Sequence, residues 1–202
     1  MENKIDHFKE KSKSWDMNSK IVQNAQAIAE LIVKNIKLDR SMKIMDFGAG
    51  TGLLSYCVAP YVGKVTAVDN SPAMLLEFQN KCDDFVCETE VMEKDLSVEN
   101  IDRQFDGIIS SMTIHHLEDM VALFSKFNDM LKVGGFIAIA DLDLEDGSFH
   151  SDNTGVHHFG FDREVLEKVA KETGFKEIRF DLASTINKPH QTFTVFLLTA
   201  VK

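Results

Sequence analysis

The sequence is poor in cysteine and lacks the long apolar segments of membrane proteins. Its three cysteines are odd in number and form no CxxC pair, so they indicate neither a disulfide framework nor a structural zinc site. The longest apolar run, near residues 193–201, is too short and too interrupted by threonine to span a bilayer, and the first residues contain no apolar leader. We therefore expect a soluble, cytoplasmic protein without a membrane partner.

Positive charge is also scarce. The 22 lysine and arginine residues face 32 aspartate and glutamate residues, which gives a formal net charge of -10 at pH 7. Because nucleic-acid-binding surfaces are basic, we do not expect nucleic acid as a partner. Repeats, low-complexity segments and Pro/Ser-rich linkers are missing as well, so the sequence predicts a single domain over residues 1–202.

Strand and helix patterns alternate from Lys43 onward. Short apolar runs without polar alternation predict buried parallel strands at 43–47, 64–69, 105–111 and 136–141. Helical patterns are predicted at 72–81, 119–132 and 162–173. Gly134 and Gly135 are expected to end the second of these helices. Two β-rich runs, 176–184 and 191–201, suggest an antiparallel hairpin at one edge, and the whole order predicts a doubly wound α/β fold.

The stretch IMDFGAGTG, residues 44–52, places an acid and three glycines at the end of the first strand. Ligands of open α/β sheets bind at this end. The spacing is GxGxG rather than the GxGxxG of dinucleotide sites, which argues against a nicotinamide oxidoreductase. A carboxylate at Asp46 repels a pyrophosphate but favours an ammonium or sulfonium group. Asp69, which ends the second strand, can accept hydrogen bonds from a ribose diol, so the two acids predict a positively charged nucleoside ligand.

These motifs, in this order, resemble the class I S-adenosylmethionine-dependent methyltransferases over nearly all of residues 43–202. The resemblance is to small bacterial members of the methyltransferase type 11/12 kind. It implies a Rossmann-like, seven-stranded sheet of order 3-2-1-4-5-7-6 in which only the seventh strand is antiparallel. It also implies S-adenosyl-L-methionine as cofactor and S-adenosyl-L-homocysteine as product.

The same resemblance assigns the cofactor residues. The first motif lines the methionine part, Asp69 holds the ribose, Asn70 and Met74 flank the adenosine, and EKDLS holds the adenine edge. Trp15 belongs to KSWD, an N-terminal signature. The predicted cofactor-binding residues are Trp15, Asp46, Gly48, Gly50, Gly52, Asp69, Asn70, Met74, Asp95, Leu96 and Ser111.

Simpler interpretations stay open for several of these side chains. Asp95 fits an Asx turn as well as the adenine edge, and Met74 fits core packing. Trp15 is equally suited to anchor the N-terminal helix. Asp16 is expected to cap a helix rather than to bind a ligand.

Two flanking segments resemble those of the same relatives. Residues 1–42 are predicted to form an N-terminal helical cap over the cofactor cleft. Residues 143–160 are predicted to form an insertion near the active site that closes over the substrate. Four acids, Asp141, Asp143, Glu145 and Asp146, lie at the end of the fifth strand or just beyond it. They are interpreted as a solvated loop, and binding of a cation or a cationic substrate is the alternative.

Seven histidines offer no HxxxH pair or cysteine partner, so we predict no metal site. His115, His116 and His158 are the candidate general bases, because imidazole accepts a proton near neutral pH and the first two follow the fourth strand. Water-exposed loop histidines are the simpler interpretation for each. A base is required only if the acceptor is a poorly acidic hydroxyl or a protonated amine.

The predicted function is methyl transfer from S-adenosylmethionine to an O, N or S nucleophile of a small-molecule substrate. The signatures of amino-directed and C5-directed DNA methyltransferases are missing. A non-catalytic S-adenosylmethionine-binding subunit and a protein methyltransferase are the alternatives. The expected state is a monomer or a homodimer.

Overall fold

The computed structural model describes Asp6 and residues 8–202, which fold around one seven-stranded sheet. Its strands are β1 (Lys43–Phe47), β2 (Lys64–Asp69), β3 (Glu88–Glu93), β4 (Phe105–Ser111), β5 (Leu131–Leu142), β6 (Lys176–Asn187) and β7 (Thr192–Val201). The strand order is β3-β2-β1-β4-β5-β7-β6. Only β7 runs antiparallel to its neighbours, β5 and β6. The predicted fold class and strand order are confirmed.

Helices cover both faces of this sheet. They are α1 (Ser19–Asn35), α2 (Leu53–Val58), α3 (Pro72–Gln79), α4 (Met120–Met130) and α5 (Arg163–Glu172). Within the part of the chain that the structure describes, none of them combines the length and apolar content that a membrane span requires. The side chain of Asn18 caps α1, accepting from the N–H of Lys20 at 3.1 Å. The prediction that Asp16 caps a helix is wrong, because it lies in the preceding 3₁₀ segment, Ser12–Met17.

Burial on both faces explains the apolar strands. Along β1, Ile44 packs in the cluster formed with α1 and α2, whereas Met45 and Phe47 pack in the cluster formed with α4 and α5. All three side chains are buried. Because neither face of β1 meets solvent, this strand shows no polar alternation.

The fifth strand begins earlier than the sequence predicted. Helix α4 ends at Met130, and Leu131 is already extended, with φ -94° and ψ 140°. Gly134 and Gly135 therefore lie inside β5, and the prediction that they end a helix is wrong. The pairing of β5 with β4 shifts register in this part of the strand. The two glycines therefore lie in an irregular part of β5, which accommodates the positive φ of Gly134.

The strand order also positions the site. Strands β2 and β3 lie on one side of β1, and β4 and β5 lie on the other. The strand order therefore reverses between β1 and β4. The carboxyl ends of these parallel strands meet at one edge of the sheet. The loops that follow β1, β2, β4 and β5 therefore lie next to one another.

Candidate functional site

The glycine loop after β1 turns back against the end of β2. The N–H groups of Gly48 and Ala49 both donate to the carbonyl of Val68, at 2.8 and 3.2 Å. Gly48, Gly50 and Gly52 have φ angles of 67°, 54° and 88°. Side chains disfavour this left-handed region, so the backbone of the loop depends on glycine at all three positions.

Two of these glycines are also required by packing. A Cβ on Gly48 would lie 2.1 Å from the side chain of Thr113, and a Cβ on Gly52 would lie 2.5 Å from the ring of Phe78. A Cβ on Gly50 would meet no atom within 4 Å. The loop is therefore packed at its two ends and opens onto free space at Gly50, where a ligand can approach the backbone.

The carboxylate of Asp69 joins this loop to the end of β2. Its Oδ2 accepts from the N–H of Gly50 and its Oδ1 from the N–H of Ser71, each at 2.8 Å. Burial raises the pKa of Asp69, and these N–H donors act in the opposite direction. The side chain is thus held in one orientation beside the open position of the loop.

Asp46 lies underneath the loop and is only 1% exposed. Its Oδ2 accepts from the hydroxyl of Ser55 at 2.6 Å. Burial raises the pKa of Asp46 to about 7, and the nearby charge of Asp69 adds to the effect. A cation placed near Asp46 would favour its ionised form.

The predicted adenine-edge residues have other contacts in the structure. Met74 is buried, and Leu96 belongs to the core cluster of α4 and α5. Oδ1 of Asp95 accepts from the N–H and the hydroxyl of Ser97, at 3.0 and 2.6 Å. Core packing and turn formation account for these contacts, and the adenine roles of all three residues stay predictions.

The ends of β2 and β4 carry the remaining predicted cofactor residues. Asn70 is exposed just beyond β2, and Ser111 is half-buried at the end of β4. The next residue, Met112, has a φ of 55°, a left-handed conformation that is strained for a non-glycine residue. Thr113 then donates its hydroxyl to the carbonyl of Gly48 at 3.3 Å. Thr113, which the sequence analysis missed, therefore fixes the glycine loop to β4.

The N-terminal segment contacts both the glycine loop and the end of β4. Trp15 packs edge-to-face against Phe8, and the ring of Phe8 lies 5.7 Å from that of His116. Asp16 accepts from the hydroxyl of Thr51 at 2.5 Å and forms an ion pair with Lys81. The contacts of Trp15 are those of an anchor, and they lie beside the candidate site.

His115 forms a buried pair with Asp141. Its Nδ1 lies 2.7 Å from Oδ1 of Asp141, and its backbone N–H donates to Oδ2 at 3.3 Å. The two side chains are 1% and 0% exposed. The interpretation of Asp141 as part of a solvated loop is therefore wrong, because its carboxylate is enclosed at the end of β5. The next acid, Asp143, forms a bidentate ion pair with Arg163, with N–O distances of 2.6 and 2.8 Å.

Two more histidine rings gather around this pair. The ring centroids of His116 and His150 lie 4.2 and 5.0 Å from that of His115. Burial, together with the neighbouring His115, lowers the pKa of each of these two histidines to about 4. Both are therefore neutral at physiological pH. His150 was not among the candidates because it lies 34 residues beyond His116 in the sequence, and only the fold brings them together.

The third predicted base lies apart from this cluster. The ring of His158 stacks 5.0 Å from that of Phe161, and its Nε2 lies 3.2 Å from the carbonyl of Glu118. The structure therefore brings His115 and His116 together without His158. Among Asp6 and residues 8–202, no set of three or more His, Cys, Asp or Glu side chains is arranged to hold a metal ion.

Comparisons with known proteins find similarity to methyltransferases. The family model described as a methyltransferase domain matches residues 44–135. An uncharacterized methyltransferase of Schizosaccharomyces pombe is 29% identical over 156 residues, which cover 69% of this chain and 55% of that protein. Residues 44–135 therefore match a methyltransferase domain, and the relatives that the chain resembles are methyltransferases. The chain spans about half the length of the Schizosaccharomyces pombe protein and less of several other relatives.

Solved structures share the methyltransferase fold at low sequence identity. A proposed methyltransferase of Haloferax volcanii, in complex with the Trm112 methyltransferase activator, is 14% identical with a TM-score of 0.79, covering 98% of this chain and 99% of that one. Haemonchus contortus phosphoethanolamine N-methyltransferase 2, in complex with S-adenosyl-L-methionine, is 16% identical with a TM-score of 0.71. That match covers 98% of this chain and 60% of the other. At such identities the likeness supports the fold alone.

The buried carboxyl group of Asp46 predicts a pH dependence of stability. The folded-state pKa of Asp46, about 7, lies above the ordinary value of 3.8, so folding favours its protonated form. Its stabilising contribution is fully present below about pH 4 and is lost as the pH rises through about 7. The free energy involved is on the order of 4 kcal/mol.

Thermal denaturation of the wild type and of Asp46→Asn measures this contribution. We expect the Tm of the wild type, relative to that of the variant, to fall by about 5 to 10 °C between about pH 5 and pH 8. Taking the difference removes the effect of the other titrating groups. A difference that stays constant over this range would contradict a protonated, buried Asp46.

Proposed function

We propose that this protein transfers the methyl group of S-adenosyl-L-methionine to a nucleophile on a small molecule. The observation that carries the proposal is the glycine loop, which is packed at Gly48 and Gly52 and open at Gly50, beside the fixed carboxylate of Asp69. The match of residues 44–135 to a methyltransferase domain, and the solved structure of similar fold that contains S-adenosyl-L-methionine, support the choice of cofactor.

The residues of the loop fit this cofactor chemically. Asp69 offers carboxylate oxygens to the ribose hydroxyls, and Asp46 favours the positive charge of the sulfonium and amino groups. Asn70, Met74, Asp95 and Leu96 keep their proposed positions along the adenosine, and Ser111 near the methionyl amino group. The cofactor supplies an already activated methyl group, so the protein mainly binds, orients and excludes water.

His115 is the general base in this proposal. A carboxylate only accepts hydrogen bonds, so the contact with Asp141 places the proton of His115 on Nδ1 and leaves a lone pair on Nε2. Asp141 also stabilises the imidazolium that forms when Nε2 takes a proton. His116, with its pKa lowered to about 4, is a weaker base at neutral pH, and His158 is given no role.

Two segments enclose the substrate side of the site. In the proposed organisation, residues 1–202 are one methyltransferase domain. Residues 1–42, of which 1–5 and 7 lie outside the described residues, are proposed as a cap, and residues 143–160 as an insertion over the acceptor. The contact of Phe8 with the ring of His116 supports the first assignment. The N–H groups of His157 and His158, which donate to the carbonyl of His115 at 2.9 and 3.2 Å, support the second. A closed site of this kind keeps water from the activated methyl group.

The proposed location is the cytoplasm. The three cysteines, Cys57, Cys82 and Cys87, are all free thiols in the structure. Free cysteines are typical of reducing compartments such as the cytoplasm.

A matched pair of glycine variants tests the cofactor site. Gly50→Ala is expected to weaken binding of S-adenosyl-L-methionine by about tenfold or more, because the added methyl enters the space through which a ligand reaches the backbone. Gly134→Ala is the control, since Gly134 also has a positive φ, 78°, and free space around its Cβ position. Both substitutions carry a similar backbone strain of about 1 to 2 kcal/mol.

Isothermal titration calorimetry of the two variants separates strain from ligand contact. The proposal requires a loss of affinity in Gly50→Ala and wild-type affinity in Gly134→Ala. Equal affinities of both variants and the wild type would show that no ligand approaches the loop at Gly50.

A further inference from the structure

Three buried side-chain atoms of the described residues have no hydrogen-bond partner, and two of them belong to neighbouring rings. These two are Nε2 of His115 and Nε2 of His150, in rings whose centroids lie 5.0 Å apart. The third, Oε1 of Glu145, lies in the same 143–160 segment as His150. Leaving a buried polar atom without a partner costs about 1 to 3 kcal/mol, so this pair of rings is suited to a ligand that supplies hydrogen bonds.

The positions of the protons on the two histidine rings determine which hydrogen-bonding groups the ligand must supply. Because the proton of His115 lies on Nδ1, facing Asp141, its Nε2 is an acceptor. His150 is neutral at physiological pH and either ring nitrogen can carry its proton, so with the proton on Nδ1 its unpartnered Nε2 is an acceptor as well. The complementary ligand group therefore carries N–H or O–H donors.

The charge of Asp141 further restricts the type of ligand that fits beside these two rings. Asp141 accepts from three N–H groups, those of His115 Nδ1, His115 N and Leu142 N, and among the described residues no lysine or arginine forms an ion pair with it. The nearby cation Lys188 is engaged elsewhere, with its Nζ 4.1 Å from the ring centroid of Phe149 and bonded to the Phe149 carbonyl. A buried carboxylate without a cationic partner favours a positively charged ligand.

We propose that the methyl acceptor is an amine, bound with its N–H groups between Nε2 of His115 and Nε2 of His150. The proposal rests on the methyltransferase function proposed above and adds His150 as a residue that contacts the acceptor.

The other acceptor classes fit these groups less well. An aliphatic hydroxyl is about as weakly acidic as water, so imidazole cannot deprotonate it efficiently. A thiolate or phenolate carries a negative charge that Asp141 would repel. An ammonium, with an ordinary pKa of about 10, is attracted as a cation and becomes a nucleophile after losing one proton.

Methyl transfer to the amine needs only the ammonium, the methyl donor and His115 as the proton acceptor. The ammonium passes one proton to Nε2 of His115, and the lone pair that remains on nitrogen forms the new N–C bond to the methyl carbon. The S–C bond breaks as this bond forms, and its electron pair stays on sulfur. The products are an N-methylammonium, neutral S-adenosylhomocysteine and one proton on His115, which leaves to solvent.

A matched set of probes tests the proposal on the full chain. Amine, alcohol and thiol forms of the ethyl, butyl and benzyl skeletons are added to protein labelled with 15N-histidine and saturated with S-adenosylhomocysteine. We expect the amines alone to shift the Nε2 resonances of His115 and His150. With S-adenosylmethionine, at least one amine is expected to be N-methylated about tenfold faster than its matched alcohol and thiol.

Two variants of His150 test its contact with the acceptor. His150→Phe is expected to raise KM for the amine by about tenfold or more, and His150→Asn, which keeps an acceptor atom, to restore part of the loss. His190→Asn, at an exposed histidine between β6 and β7, is the control and should behave as the wild type.

The outcomes separate the two proposals. No binding of S-adenosylmethionine would overturn the proposed function. Normal cofactor binding with faster methylation of an alcohol or thiol, or with no amine-specific shift of the His115 and His150 resonances, would overturn only the amine assignment. An unchanged KM in His150→Phe would remove His150 from the acceptor site.

Discussion

Asp69→Asn is expected to weaken the binding of S-adenosyl-L-methionine by about a hundredfold or more. Hydrogen bonds to a charged group contribute about 1.5 to 3 kcal/mol each, and a ribose diol can form two with this carboxylate. The substitution also removes one of the two oxygens that accept from Gly50 and Ser71, so the glycine loop loses an anchor. Isothermal titration calorimetry measures the dissociation constant directly.

Asp106→Asn is the matched control for this experiment. Asp106 lies near the amino end of β4, away from the ligand edge, and accepts from the backbone of Lys43 and the side chain of Lys132. Its loss can lower the Tm but should leave cofactor affinity unchanged. An Asp69→Asn protein that is folded and binds the cofactor like the wild type would exclude Asp69 from the ribose site.

His115→Asn is expected to lower kcat by about a hundredfold to ten-thousandfold, the usual contribution of a general base. The affinity for S-adenosylmethionine should stay within about twofold of the wild type, because His115 faces Asp141 and the acceptor side rather than the glycine loop. Formation of S-adenosylhomocysteine measures the first quantity, and calorimetry measures the second.

The pair with Asp141 offers a second measurement of the same role. Asp141→Asn keeps the size of the side chain but no longer stabilises an imidazolium, so it should lower kcat in the same way. His190→Asn again serves as the control. If His115→Asn retained the wild-type kcat across the pH range with a good acceptor, His115 would not be the base.

Much of the fold was predictable because its signals are local. The strands β1, β2 and β4 were placed at their observed residues from apolar runs alone, and Ser71 and Asp162 mark the starts of α3 and α5, where both act as N-caps. Strand β3 has no such signal. It lies at the edge of the sheet and its sequence, ETEVME, is mostly polar, so only the family resemblance implied it.

The same distinction between local and long-range signals applies to the candidate site. The glycine loop and Asp69 were predictable because short motifs determine their backbone conformation. The partner of His115 was not, because Asp141 lies 26 residues away and meets it only where β4 and β5 end side by side. His150 joins them through the folding of the 143–160 segment, which no periodic pattern describes.

The most direct test of the account follows the methyl group itself. The purified protein is incubated with S-adenosylmethionine labelled in its methyl group and with a small-molecule extract or the amine probes, and the products are separated by size. The account predicts label in the small-molecule fraction together with an equal amount of S-adenosylhomocysteine, both lost in Asp69→Asn. Tight binding of S-adenosylmethionine without any S-adenosylhomocysteine, or label found only in protein, would contradict it.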